Sequence, residues 1–493
     1  MKYLDPQGLA LADLLAIAEQ DMPAAFSTDA RQRIKEGHRL LLNLTRQGTP
    51  IYGVTTGLGA AVDVQVPLDD PLLQARIPLG RAVGVGRLAN RQELRAIITA
   101  RLAGLAQGRS GISPHAADSL LALLNAGIEP EVPLLGSLGE SDLAPLAHLS
   151  LALLGQGWVH WCAERLPAAE ALQRSGLQAA RLVGKDGLAL VSANAAGVGL
   201  GALLVAEAER ALQAVLAAIA LSCEGYRANL SPFQPWASRL RPAPGQTEQS
   251  QALLRLLDGG ELTDNPRRLQ DPLSFRCATV VQGAARQALR QLREQIELEL
   301  ASGADNPALI SEEQQVLATA NFDSTHLALA GEGLGLALSR VAACSAERIA
   351  KLLSPASSEL PRFLIGQPGH VGMAALQRTS AALVAEIGHL ANPLPAVSVP
   401  VADRVEDYAG QALAVIDKTR RLTERVLWLG SIELIVAAQA VDLRGTVQLG
   451  EGSGRIHRAV RSQVAHLDQD RSGSVDVLAL ATFIENAGLE SVL

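Results

Sequence analysis

Ala202-Leu203-Leu204-Val205-Ala206-Glu207-Ala208-Glu209-Arg210-Ala211-Leu212-Gln213-Ala214-Val215-Leu216-Ala217-Ala218-Ile219-Ala220-Leu221 decides the fold class. Ala and Leu are strong helix formers. The polar residues Glu207, Glu209, Arg210 and Gln213 sit within two turns, and the remainder is apolar all round. A helix apolar on several faces is buried in a bundle or a subunit interface. Gln411 to Ala440 reads the same way, and helical period recurs over Arg91 to Ala106, Ala284 to Leu300, Leu327 to Leu353 and Thr379 to Leu390. Strand signals are scarce: aromatics are 3% of the chain and β-branched alternation is rare. The reading is all-α. Residues 1–200 form an N-terminal helical part rich in functional loops, and residues 201–493 form a bundle of long helices. Pro, Gly and polar breaks near 47–70, 128–145, 262–276 and 302–307 hold most of the unusual residues.

Composition narrows the function. Apolar residues are 48% of 493, enough for a large core, and charged residues only 19%, so subunit contacts are expected to cover much surface. The net charge of −7 argues against a nucleic-acid partner. No run reaches ~18 uninterrupted strongly apolar residues, and Met1-Lys2-Tyr3-Leu4-Asp5 does not open a signal peptide. No membrane association and a cytoplasmic location are expected. Cys162, Cys223, Cys277 and Cys344 lie far apart and read as free buried thiols. No metal site is expected. Asp468-Gln469-Asp470-Arg471-Ser472-Gly473 imitates a calcium loop, but its twelfth position is Ala479 rather than Glu. Gly197-Val198-Gly199-Leu200-Gly201 reads as close helix packing rather than a phosphate loop.

Several motifs then occur in a fixed order. Tyr52-Gly53-Val54-Thr55-Thr56-Gly57-Leu58-Gly59 is a glycine-rich loop around one of only four tyrosines. Gly136-Ser137-Leu138-Gly139-Glu140-Ser141-Asp142-Leu143-Ala144-Pro145-Leu146 follows, then Lys185-Asp186-Gly187-Leu188-Ala189-Leu190, Gln270-Asp271-Pro272-Leu273-Ser274-Phe275-Arg276, Asp305-Asn306-Pro307, Asn321-Phe322 and Val405-Glu406-Asp407-Tyr408. Together they resemble the histidine and phenylalanine ammonia-lyase family over about residues 5–485.

The resemblance implies roles. Tyr52 takes the place of the base that removes the β-proton. Arg276 matches the arginine that grips the substrate carboxylate, for which a guanidinium fork is suited. Asn321 and Phe322 would line the pocket. Glu406 matches the glutamate of the histidine lyases and favours an imidazole-type or cationic substrate. Arg81 falls where those enzymes carry an imidazole-binding His. Ser192 takes the place of an Asn that orients prosthetic group and carboxylate, and Asn194 can substitute from two residues away. The resemblance also implies a homotetramer whose active sites combine loops of different subunits, with a small amino acid or betaine as substrate.

One motif departs from the family. Its loop carries Ala-Ser-Gly before Asp-Leu, and these residues cyclise into a methylidene-imidazolone (MIO). Here Glu140-Ser141 runs straight into Asp142. The loop is one residue short and lacks the Gly whose amide nitrogen closes the ring, so an MIO from the chain's own backbone is not expected, nor any external cofactor. Ser141 or Asp142 is expected instead to cap a helix running through Pro145. Without MIO, elimination suits a leaving group already activated, such as a trimethylammonium. Three readings follow: a histidine-like or aromatic amino acid ammonia-lyase forming a urocanate-type acrylate, an MIO-free lyase releasing trimethylamine from a betaine such as ergothioneine, and a non-catalytic helical scaffold. Joint retention of Tyr52 and Arg276 counts against the scaffold, and loss of Ala-Ser-Gly against the first reading; Tyr52, Ser141 and Glu406 are the catalytic candidates.

Overall fold

The computed structural model describes residues 1–68, 70–261, 266–394 and 399–490. The first four residues of the 262–276 break fall outside them. The expected helices are present: Arg91–Ala106, Ala195–Tyr226, Ala278–Leu300, Thr325–Leu352, Ala374–Leu390 and Ala412–Asp442. Four reach or exceed their apolar run, while Thr325–Leu352 stops one residue before Leu353 and Ala412–Asp442 starts one residue after Gln411.

The chain divides into two compact units, residues 1–203 with 292–331 and 394–417, and residues 204–291 with 332–393 and 418–493. One unit edge falls between Leu203 and Leu204, and two later segments return to the first unit. Ala195–Tyr226, Ala278–Leu300, Thr325–Leu352 and Ala412–Asp442 each contribute residues to both.

The first unit holds the short strands. Lys2–Leu4 pairs parallel with Ala24–Phe26, and Glu129–Pro130, Trp158–Trp161 and Glu164–Pro167 form an antiparallel three-stranded sheet. Val85–Leu88 pairs antiparallel with Pro133–Leu135, the strand that leads into the Gly136 loop. Arg91–Ala106 starts at a capping box, Asn90 with Glu93, and runs through the core. Its Arg101 meets Asp305 at 2.8 Å, both nearly inaccessible, and Lys185 Nζ donates to Ser110 O at 3.0 Å. The Asp-Asn-Pro and Lys-Asp-Gly motifs are therefore buried props that hold loops in place. Gly199 approaches Ala96 so closely that a Cβ would lie 2.7 Å from its carbonyl carbon, which bears out helix packing at 197–201.

In the second unit Arg348 and Glu433 form a buried pair at 2.6 Å. Ser222 and Ser345 also donate to Glu433, at 2.8 and 2.6 Å, and Arg348 Nη1 donates to Ser274 O at 3.0 Å. Tyr226 stacks on Phe275 at 4.3 Å. The turn carrying Arg276 is thus tied to the core on two sides. Asp470, in the calcium-like stretch, accepts the N–H groups of Val371 and Gly372, both at 2.8 Å.

Two expectations need correction. Cys223 is buried and Cys277 and Cys344 are half-buried, but Cys162 is exposed at the Trp158–Trp161 to Glu164–Pro167 hairpin, because a tight turn has no interior to offer. The stretch Asp186–Tyr226 and the helix Thr325–Leu352 are long and apolar enough, by length and composition alone, to cross a membrane. The apolar window of the first is wholly buried inside the protein, as in a core helix.

Candidate active site

The Gly136 loop is built by its backbone. Gly136 and Gly139 have φ of +131° and +84°, and a Cβ on Gly139 would lie 2.5 Å from Gln411 N. Only glycine fits there. The close approach lets Gln411 N donate to Leu138 O at 2.8 Å, and Ser324 Oγ donates to Gly139 O. Ser141 follows at φ +69°, a strained value for a residue with a Cβ. The strain is held by buried partners: Ser141 N donates to Asn194 Oδ1 at 3.1 Å, and the hydroxyls of Ser141 and Ser192 are 3.3 Å apart. Ser192 and Asn194 therefore lie beside Ser141.

The capping expectation is corrected. The helix Leu143–Leu153 begins at Asp142, with Pro145 in its first turn, but no side chain caps it. The carboxylate of Asp142 instead accepts Gly197 N at 2.8 Å, in the first turn of Ala195–Tyr226, and Ser137 Oγ at 2.7 Å. A buried carboxylate is better satisfied at the positive end of the longer buried helix. Burial pushes the Asp142 pKa up, against those hydrogen bonds.

The same geometry decides whether an MIO suits these residues. Ring closure needs the amide nitrogen of Asp142 to attack the carbonyl carbon of Glu140. That N–H donates to Ala193 O at 2.7 Å, and the Asp142 side chain is fixed on both oxygens. The residues present do not fit the group.

A cavity of about 200 Å³ lies against this loop, lined by Gly80, Arg81, Val83, Gly136, Ser137, Leu138, Glu140, Ser141, Leu143, Ala144, Glu406 and Tyr408. Arg81 follows the helix Leu73–Leu79 and carries charge beside both Tyr52 and Glu406. Burial lowers its pKa, and those two groups oppose the shift. Tyr52 Oη accepts Gly59 N at 2.7 Å, so a backbone dipole points at the phenol oxygen. A Cβ on Gly59 would lie 3.7 Å from Glu406 Oε1, which places the carboxylate against the Tyr52 loop. Glu406 is set by a bridge with Val401 around a turn whose Ala402, Asp403 and Arg404 all have positive φ.

Arg81, Ser141 and Glu406 thus line one cavity, and Tyr52, not itself among the lining residues, stands beside Arg81. Asn321 is exposed and Phe322 half-buried, and neither is among the residues lining this cavity. Arg276 ends the short helix Leu273–Arg276, in the second unit. Sequence reasoning missed Asp323 and Tyr408. Asp323 bridges Glu140, and the Tyr408 hydroxyl bonds to Thr325 Oγ1. The scarcity of tyrosine was the one available signal for Tyr408.

Residues 9–462 match the family described as aromatic amino acid lyase. The chain is 36% identical over 502 residues to the histidine ammonia-lyase of Anaeromyxobacter sp. (strain K), covering 99% of each chain. Among solved structures it superposes with a TM-score of 0.93 on the ergothioneine-degrading Ergothionase from Treponema denticola, at 31% identity and 99% of each chain. It superposes with 0.94 on the tyrosine aminomutase from Streptomyces globisporus, at 30% identity, covering 100% of this chain and 98% of that one. The chain belongs to the aromatic amino acid lyase family. It is an enzyme, a carbon–nitrogen lyase.

Proposed function

We propose that this lyase performs α,β-elimination without an MIO group, on a histidine-like or aromatic substrate whose amine is already quaternised, releasing trimethylamine and an acrylate of the urocanate type. The observation that carries this reading is the commitment of the Asp142 amide and carboxylate to Ala193, Gly197 and Ser137. Without a covalent electron sink, the leaving group must depart unaided. A trimethylammonium does so as a neutral amine, and it has no lone pair with which to attack an electrophile. The structural likeness to a protein that degrades ergothioneine supports the choice.

Tyr52 acts as the base. Its phenolate takes the β-proton, the C–H pair becomes the Cα=Cβ bond, and the C–N pair leaves with nitrogen. Arg81 carries its charge beside Tyr52, and the Gly59 N–H donates to the phenol oxygen. Glu406 holds the imidazole or balances the cation. The substrate carboxylate is gripped by Arg276, supplied from a neighbouring subunit of a cytoplasmic homotetramer with shared sites.

Paired assays of L-histidine, L-phenylalanine, L-tyrosine and their trimethylammonium betaines test the reading. Trimethylamine from a betaine with no ammonia from the free amino acids is expected; ammonia at enzymatic rates, ~1–1000 per second, would overturn it. Arg276→Lys is expected to raise KM about tenfold with a smaller change in kcat, because a point charge replaces a bidentate fork. An unchanged KM would remove Arg276 from the carboxylate site.

A further inference from the structure

Glu140 stands apart among the charges of the cavity. Glu406 has Arg81 beside it, whereas the neighbours that act on Glu140 are the Gly410 N–H, donating to Oε1 at 2.8 Å, and the Asp323 carboxyl. The contact is enforced by the backbone. Glu140 and Asp323 form an antiparallel bridge, and a Cβ on Gly410 would come within 3.2 Å of Glu140 Oε1. Thr325 donates to Asp323 from both its N–H and its hydroxyl, at 3.2 and 3.0 Å. A carboxyl facing a second carboxyl at the wall of a cavity is a costly arrangement in a resting protein. It is relieved when a cation enters.

We propose that Glu140 is a specificity residue for the departing cation, its carboxylate binding the trimethylammonium group by charge where a covalent electrophile would otherwise hold the amine. The inference rests on the betaine reading above and names its subsite. Once the C–N bond breaks, trimethylamine is neutral, the attraction ends, and the amine is free to leave.

The proposal carries a pH signature. Burial and the facing Asp323 push Glu140 up to about 7. A group with a raised pKa is protonated below that value and charged above it, so cation binding strengthens as pH rises through 7. Binding in turn drives a proton off. The other titratable groups around it are Arg81, Glu406 and Tyr408 on the cavity wall, Asp142 two residues on in the loop, and Glu299, on which Asp142 and Asp323 both act. Glu299 is itself raised to about 7 by burial and by Asp142 and Asp323, so a control must separate the two.

Glu140→Gln provides it. The amide oxygen still accepts Gly410 N–H, and the amide nitrogen donates to Asp323 as a protonated acid does. The variant therefore keeps the shape and removes only the charge. Calorimetric binding of tetramethylammonium and of the trimethylammonium betaine of phenylalanine, which has no titrating ring, is measured on the full-length protein. Wild type is expected to bind about tenfold or more tightly at about pH 8.5 than at about pH 5.5. Glu140→Gln should stay at the weak low-pH level throughout. A variant that follows the wild-type profile overturns the proposal, as does one equally weakened at both pH values, which marks a structural role. If wild type and variant differ as expected but no betaine releases trimethylamine, the elimination reading fails while the cation subsite stands.

Discussion

Tyr52→Phe is expected to lower kcat by about 10²–10⁴-fold, the usual share of a positioned general base, with the fold intact. The phenol oxygen accepts one hydrogen bond, from Gly59 N, in a loop that is partly open to solvent. Loss of such a bond costs only ~1 kcal/mol. Activity and stability should therefore separate: turnover collapses while thermal unfolding barely moves. Substrate binding should persist, because the groups assigned to charge recognition, Arg276, Glu140 and Glu406, remain. Turnover by Tyr52→Phe at the wild-type rate would remove Tyr52 from the mechanism.

Glu433→Ala should have the largest effect on stability. Glu433 is fully buried and receives Arg348, Ser222 and Ser345. Truncation leaves the Arg348 guanidinium buried without its counter-charge, a loss of about 3–5 kcal/mol. The damage should reach function, because Arg348 also holds Ser274 O, two residues before Arg276. Combining Arg348→Met with Glu433→Leu should recover much of the stability, since apolar groups of similar volume replace a buried pair at little cost. The double variant should nonetheless bind substrate carboxylate poorly, its Arg276 turn having lost an anchor. Chemical denaturation of the single and double variants checks the first part, and KM checks the second. A single variant as stable as wild type would contradict the argument.

The helices were legible because their apolar period is local and long: Arg91–Ala106 is observed at the residues its pattern marked. Tyr52, Arg81, Ser141 and Glu406 were legible only as members of motifs, and their convergence is a property of the folded chain. The pairing of Glu140 with Asp323 crosses more than half the distance from loop to C-terminus and has no local signature. The capping error at Asp142 has a similar cause. A carboxylate at a helix start normally serves its own helix, but burial here offered the N-terminus of Ala195–Tyr226 instead. The return of 292–331 and 394–417 to the first unit was equally hidden, because long helices run through the unit edges without a break in period.

Glu140-Ser141-Asp142 is expected to remain an ordinary peptide in the working enzyme. The intact mass of the purified, catalytically competent protein tests it most directly. The full mass of the unmodified chain is expected; a mass lower by two waters, the signature of ring closure, would show that the ring forms.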